Sequence, residues 1–235
     1  MRWRRRREEA GRKPWDLDPI VSRPADDPRS SSCVGVLVYR GVSSAEVDEP
    51  ARALASRMHA AVALVGARVG PVHAVEPSRS VVVGFDPSTA PPIDVLVVPG
   101  GLGWKQVLDD EALRRWLADT ARDARGILAI STGSLLLASV GRLDGRAATG
   151  HWLAEGELAA LGANVSSTRT ALDESGRIVT ASGAMAALTV LDDLADGAQW
   201  SRWAPSPDDG GSDRDLLPDP PIDSVDEGWA RPPTE

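Results

Sequence analysis

The sequence predicts an α/β domain of three layers: a mainly parallel sheet with helices on both faces. Three observations predict it. Between about residues 32 and 201, short runs rich in Val, Ile and Leu alternate with amphipathic stretches. Several of the runs are apolar at every position, the mark of a strand buried on both faces rather than one. Strands separated by helices imply right-handed crossovers and parallel pairing.

The elements follow in order. Residues 34–39 predict a buried strand closed by Arg40-Gly41, and residues 45–60 a helix, because Val47, Ala51, Leu54 and Met58 recur at helical spacing. Residues 61–67 and 72–75 predict strands broken at Gly70-Pro71, with another strand over 81–85. Residues 94–98 form a further buried run that stops at Pro99-Gly100-Gly101. A helix is predicted over 109–121, with Leu113, Trp116, Leu117 and Thr120 on one side, then a strand over 126–130 running into a helix over 132–140. Residues 154–161, 165–168, 177–180 and 185–194 predict a helix, two strands and a last helix.

Composition excludes several functions. The chain has 235 residues, 42% of them apolar, enough for a real core. No apolar run approaches the roughly 18–20 residues that span a bilayer. A single cysteine, Cys33, excludes a disulfide framework and a cysteine-rich zinc site, and three histidines cannot build a histidine-rich metal centre. No cofactor is implied. The net charge of −8 argues against general nucleic-acid binding.

The charge is uneven. Residues 1–30 hold nine Arg or Lys against six Asp or Glu, whereas residues 205–235 hold two against nine, together with seven prolines. Such composition does not repay the entropy of ordering a chain. The expected division is therefore a disordered basic tail over 1–31, one domain over 32–201, and a disordered acidic, Pro-rich tail over 202–235. The N-terminal arginines are not followed by the apolar stretch of about 7–15 residues that an export signal requires, so a cytoplasmic location is expected.

In a sheet of this kind the reactive crevice lies beyond the carboxyl ends of the strands. At one exit, Ala129-Ile130-Ser131-Thr132-Gly133 sets a hydroxyl at a strand-to-helix junction, beside the free N–H groups of a helix start. That is the form of a nucleophile elbow with its oxyanion donors. It is equally the form of a serine that caps a helix. At another exit, Gly100 and Gly101 allow backbone N–H groups to point into the crevice, or simply make a tight turn.

These pieces together resemble the ThiJ/PfpI superfamily, whose members share a flavodoxin-like, class I glutamine-amidotransferase-like fold; the nearest subgroup is that of the isonitrile hydratases and the amidotransferase-like sensor domains of AraC-type regulators. The resemblance covers roughly residues 33–199. It rests on Val36-Leu-Val-Tyr-Arg-Gly-Val42 leading to Glu46 and Pro50, and on Asp94-Val-Leu-Val-Val-Pro-Gly-Gly101. It continues through Ser131-Thr-Gly-Ser-Leu-Leu-Leu-Ala138, Gly141-Arg-Leu-Asp-Gly-Arg-Ala-Ala-Thr-Gly-His-Trp152 and Arg177-Ile-Val-Thr-Ala-Ser-Gly183.

The resemblance implies roles. Glu46 matches the acid that faces the nucleophile, and Ser131 falls where the family normally has its reactive cysteine. Gly101 and Thr132, with Gly100 beside them, match an anion pocket of backbone N–H groups. His151 is a third catalytic candidate, and Trp104 and Trp152 are candidates for the pocket wall. A homodimer is implied as well.

A serine hydroxyl ionises too far above neutral pH to act as a thiolate does, so it needs a base at the moment of attack. The expected function is an enzyme with altered chemistry: acid/base hydration or hydrolysis of a small polar or isonitrile-like substrate by Glu46 and Ser131. The alternative is an inactive binding or sensing domain that keeps the pocket without the thiol. A regulator's sensor half is set aside, because residues 205–235 are too few and too acidic for a DNA-binding module.

Overall fold

A computed structural model describes residues 32–195 and Trp203. The first half comprises β1 (Cys33–Leu37), α1 (Ser44–Met58), β2 (Ala61–Val65), β3 (Gly70–Ala74), β4 (Arg79–Val83) and β5 (Val95–Val98). Then come α2 (Lys105–Asp109), α3 (Glu111–Asp123), β6 (Gly126–Ile130) and α4 (Gly133–Ser139). The chain continues through β7 (Ala147–Ala148), a 3-10 turn (Trp152–Ala154), α5 (Glu155–Ala160) and β8 (Asn164–Val165). It finishes with β9 (Thr170–Leu172), β10 (Ile178–Ala181) and α6 (Ala184–Ala195).

Six strands form the main sheet in the order β2-β1-β5-β6-β10-β9. All neighbours pair in parallel except β9, which runs against β10. The central strands β5, β6 and β10 are buried at every position, as a sheet covered on both faces requires. Helices α1 and α6 pack on each other as one group, and α2, α3 and α4 as another. The amphipathic α3 is started by Asp110, whose carboxylate accepts the Leu113 N–H at 3.0 Å.

Three expectations change. β3 and β4 are strands, but they pair only with each other in an antiparallel hairpin outside the main sheet. Their alternating burial shows why: one face is solvated, which a parallel central strand cannot tolerate. The strand expected over 165–168 shrinks to β8, while β9, three residues long, carries too short a pattern to be read.

The domain also reaches past its expected end at residue 201. Trp203 is fully buried, and its Nε1 donates to the Gly176 carbonyl at 3.1 Å. A side chain at Gly126 would put its Cβ 2.3 Å from the indole ring, so that glycine makes the seat for the tryptophan. Composition averaged over the acidic segment hid one anchoring aromatic. The remaining expectations for residues 1–31 and 202–235 lie outside the described residues.

The strand order fixes where a site can form. From β1 the chain moves outward to β2, then returns across β1 to β5 and continues to β6. Connections therefore leave the carboxyl ends of β1 and β5 toward opposite sides and open a crevice between them. Glu46 follows β1, Gly100 and Gly101 follow β5, and Ser131 follows β6.

Candidate active site

Ser131 is the first residue beyond β6 and turns with φ 58°, a left-handed conformation that serine rarely adopts. Its surroundings enforce the turn. The Ser131 N–H donates to the Ala181 carbonyl at 2.8 Å, extending the pairing with β10. A Cβ on Gly133 would lie 2.0 Å from the Val98 carbonyl oxygen, so α4 starts hard against β5. A Cβ on Gly100 would lie 2.8 Å from Ser131 Cβ and 2.8 Å from the Thr132 nitrogen. Glycine there lets the two strand exits touch. Among the described residues no hydrogen bond restrains the Ser131 hydroxyl, which lines a cleft of about 270 Å³.

Glu46 lines the same cleft from the first turn of α1. The Gly100 N–H donates to its Oε2 at 2.7 Å. Burial pushes its pKa from the ordinary 4.5 up to about 7; the Gly100 bond opposes this and the charge of Glu76 adds to it. Near neutral pH the group therefore exists both as acid and as carboxylate. With Oε2 fixed as an acceptor, the neutral acid carries its proton on Oε1. The Tyr39 hydroxyl donates to the Pro99 carbonyl at 3.0 Å and holds the neighbouring turn in place.

The expected anion pocket is built differently. The Gly100 N–H is taken by Glu46, and the Gly101 N–H donates to Thr132 Oγ1 at 2.9 Å. The threonine hydroxyl also donates to the Gly101 carbonyl at 3.3 Å. Two side chains thus occupy the donors that the bare Gly-Gly pair would have offered to a ligand. The N–H groups that open α4 are the ones free of intrahelical acceptors. The Thr132 side chain also ties the glycine turn to the elbow.

His151 lines the cleft, and its Nδ1 accepts the Leu153 N–H at 3.3 Å. That bond assigns the proton of a neutral ring to Nε2. Trp104 is buried and lines the cleft. Trp152 does not: it is 70% exposed and stacks on His151 with ring centroids 5.8 Å apart. The 3-10 turn rotates it outward, and Leu153 and Ala154 form that part of the wall. Proximity in sequence to His151 was a poor guide to which face of a tight turn it occupies.

Other lining residues carried no readable signal. Ser43 lies at the exit of β1, and its N–H donates to the Gly100 carbonyl at 2.8 Å. Glu76 reaches the cleft only because the β3–β4 hairpin is pinned to the segment between β1 and α1, through Gly41 N–H to the His73 carbonyl and Ser44 N–H to the Val75 carbonyl. Glu157 comes from α5. Cys33 is the first residue of β1, at the opposite end of that strand from the cleft, and burial pushes its thiol up to about 11. Among the described residues no group of three His, Cys, Asp or Glu side chains is placed to hold a metal, and no helix is long and apolar enough to cross a membrane.

The chain is 31% identical over 206 residues to the isonitrile hydratase of Pseudomonas putida, covering 82% of this chain and 87% of that protein. Among solved structures it resembles a ThiJ/PfpI family protein from Pseudomonas syringae, with a TM-score of 0.64 at 26% identity over 82% of this chain and 84% of that one. It shares its fold with Schizosaccharomyces pombe DJ-1, with a TM-score of 0.58 at 18% identity over 72% and 95% of the two chains. The sequence pattern of the DJ-1/PfpI family matches residues 33–196, from the first strand to the last helix. On that match, and on the strand order that carries Glu46 to the elbow, this chain belongs to the DJ-1/PfpI family.

Proposed function

We propose that this protein is an enzyme that adds water to a small isonitrile-type substrate by acid/base chemistry at Glu46, with Ser131 in the place of a nucleophilic cysteine. The single observation that carries the reading is Glu46 itself: a buried carboxyl with a pKa raised to about 7, lining a cleft beside an unrestrained serine hydroxyl. A carboxyl poised near the working pH is both a competent acid and, one step later, a competent base. The relationship to the Pseudomonas putida isonitrile hydratase supports the substrate class.

The chemistry needs no thiolate. The terminal carbon of an isonitrile, R–N≡C, takes a proton from the Glu46 carboxylic acid to give the nitrilium ion R–N≡CH⁺. Water then adds to that carbon while the Glu46 carboxylate accepts one of its protons, which restores the acid. The product, R–N=CH–OH, rearranges to the formamide R–NH–CHO, so one water is consumed for each isonitrile. The Ser131 hydroxyl orients the water and bonds to the developing oxygen, and the His151 Nε2–H supplies a second donor.

The test is a pH profile of hydration with a benzyl isocyanide series. Because the acid form starts the reaction, kcat/KM is expected to be level below about pH 7 and to fall by about tenfold per unit above it. Glu46→Gln is expected to lower kcat by about 10²–10⁴-fold. Full activity in Glu46→Gln would refute the assignment. Ligand binding without turnover in the unaltered protein would mark a binding domain instead.

A further inference from the structure

The cleft carries one sign of charge. Its lining includes three carboxyl groups, Glu46, Glu76 and Glu157, and neither lysine nor arginine. They arrive from α1, from the turn between β3 and β4, and from α5, so no local acidic run accounts for them. His151 is the other titratable group in the lining. The rest of the wall is largely apolar: Leu102, Trp104, Leu135, Leu153 and Ala154. Leu102 and Leu153 are strongly exposed at the mouth, at 83% and 70%.

Among the described residues, Arg40 and Lys105 stand outside the lining. Arg40 is exposed beyond β1. Lys105 places its Nζ over the Trp104 ring, 5.3 Å from the centroid. A wall residue of this cleft therefore already receives an ammonium group on its aromatic face, as such rings do.

We propose that the cleft selects substrates joining a compact apolar body to an ammonium-type cation, and discriminates against carboxylate- or phosphate-bearing ones. Apolar walls lower the local dielectric and concentrate the field of the rim carboxylates, Glu76 and Glu157. An anionic tail meets like charge there, and the lining itself offers it neither guanidinium nor ammonium. A cationic tail meets opposite charge while its apolar body covers Leu102 and Leu153. The proposal rests on the cleft being the reaction site, as argued above, and concerns only what that site admits.

The experiment measures binding and turnover separately. Three isocyanides of matched shape serve as probes: 4-(aminomethyl)benzyl, 4-(hydroxymethyl)benzyl and 4-carboxybenzyl isocyanide. Binding is read by calorimetry on Glu46→Gln, in which turnover is suppressed, and hydration is read on the unaltered protein. The ammonium probe is expected to bind about tenfold more tightly than the hydroxymethyl probe, and the carboxylate probe about tenfold more weakly. The preference is expected to shrink severalfold between about 50 and 500 mM salt. Adding Glu157→Gln or Glu76→Gln is expected to weaken the ammonium probe about threefold more than it weakens the hydroxymethyl probe.

Equal affinities, tighter carboxylate binding, or no binding of any probe overturns the proposal. If the unaltered protein hydrates none of the three while the ammonium probe still binds best, the hydration reading fails and the charge selection stands. If the hydroxymethyl probe is hydrated and all three bind alike, the charge selection fails and hydration stands.

Discussion

Glu46→Gln is expected to stabilise the protein at pH 8.5 and leave its stability nearly unchanged at pH 4.5. The folded protein raises the carboxyl pKa from 4.5 to about 7, so it binds this proton more tightly than the unfolded chain does. Stability from that preference is complete below the unfolded pKa and is lost as pH rises through the folded one. A shift of about 2.5 units corresponds to roughly 3 kcal/mol once the buried group is fully ionised. Glutamine has no charge to bury, and its carbonyl oxygen can still accept the Gly100 N–H. The variant should therefore gain about 2–3 kcal/mol at pH 8.5, or on the order of 5–10 °C in Tm. Urea denaturation of both proteins at the two pH values checks this. A difference that does not change with pH would show that Glu46 ionises as freely in the folded protein as in the unfolded one. The same substitution removes the acid and the base of the proposed reaction, so stability and turnover should move in opposite directions.

Ser131→Cys is expected to create a thiol with a pKa between about 5 and 7, against about 8.5 for an ordinary cysteine. The φ of 58° lifts the side chain off the end of β6 into the cleft. There it meets the opening N–H groups of α4, and Glu46 can donate its proton to a thiolate. The two groups then titrate as a pair, with the carboxyl keeping the shared proton after the thiol has lost its own. Cys33 gives the internal contrast, because its thiol is pushed up to about 11 and stays unreactive at neutral pH. Alkylation by iodoacetamide as a function of pH reads both. Expected is one fast-reacting thiol per chain at pH 6.5, and its absence from the unaltered protein. An introduced thiol titrating at or above about 8.5 would mean that the elbow does not activate its occupant.

Much of the fold was legible because strands buried on both faces write continuous apolar runs, as residues 34–39, 95–98 and 126–130 do. Their order along the chain, with helices between, leaves few alternatives to a doubly covered parallel sheet. The hairpin of β3 and β4 was read as two strands but not as a separate pair, since local pattern does not say which partner a strand takes. Within the site, Ser131, Glu46 and the Gly100-Gly101 turn could be named because each sits at a strand exit. What the glycines do there was not legible. Their N–H groups are satisfied by Glu46 and Thr132, side chains 54 and 31 residues away in sequence. Glu76 and Glu157 enter the cleft through tertiary packing alone, and Trp152 leaves it through the turn of a single 3-10 helix. Trp203 was missed because one buried ring weighs little in an acidic, proline-rich average.

The central claim is that one carboxyl group is held near neutrality at the foot of the elbow, and a direct titration tests it. Carbon-13 spectra of protein labelled at the glutamate side-chain carboxyl, with Glu46→Gln identifying the resonance, give the pKa of this group without reference to any substrate. A midpoint at about 7 is expected. A midpoint near the ordinary value of about 4.3 would leave the cleft with no acid at neutral pH and contradict the chemistry proposed for it.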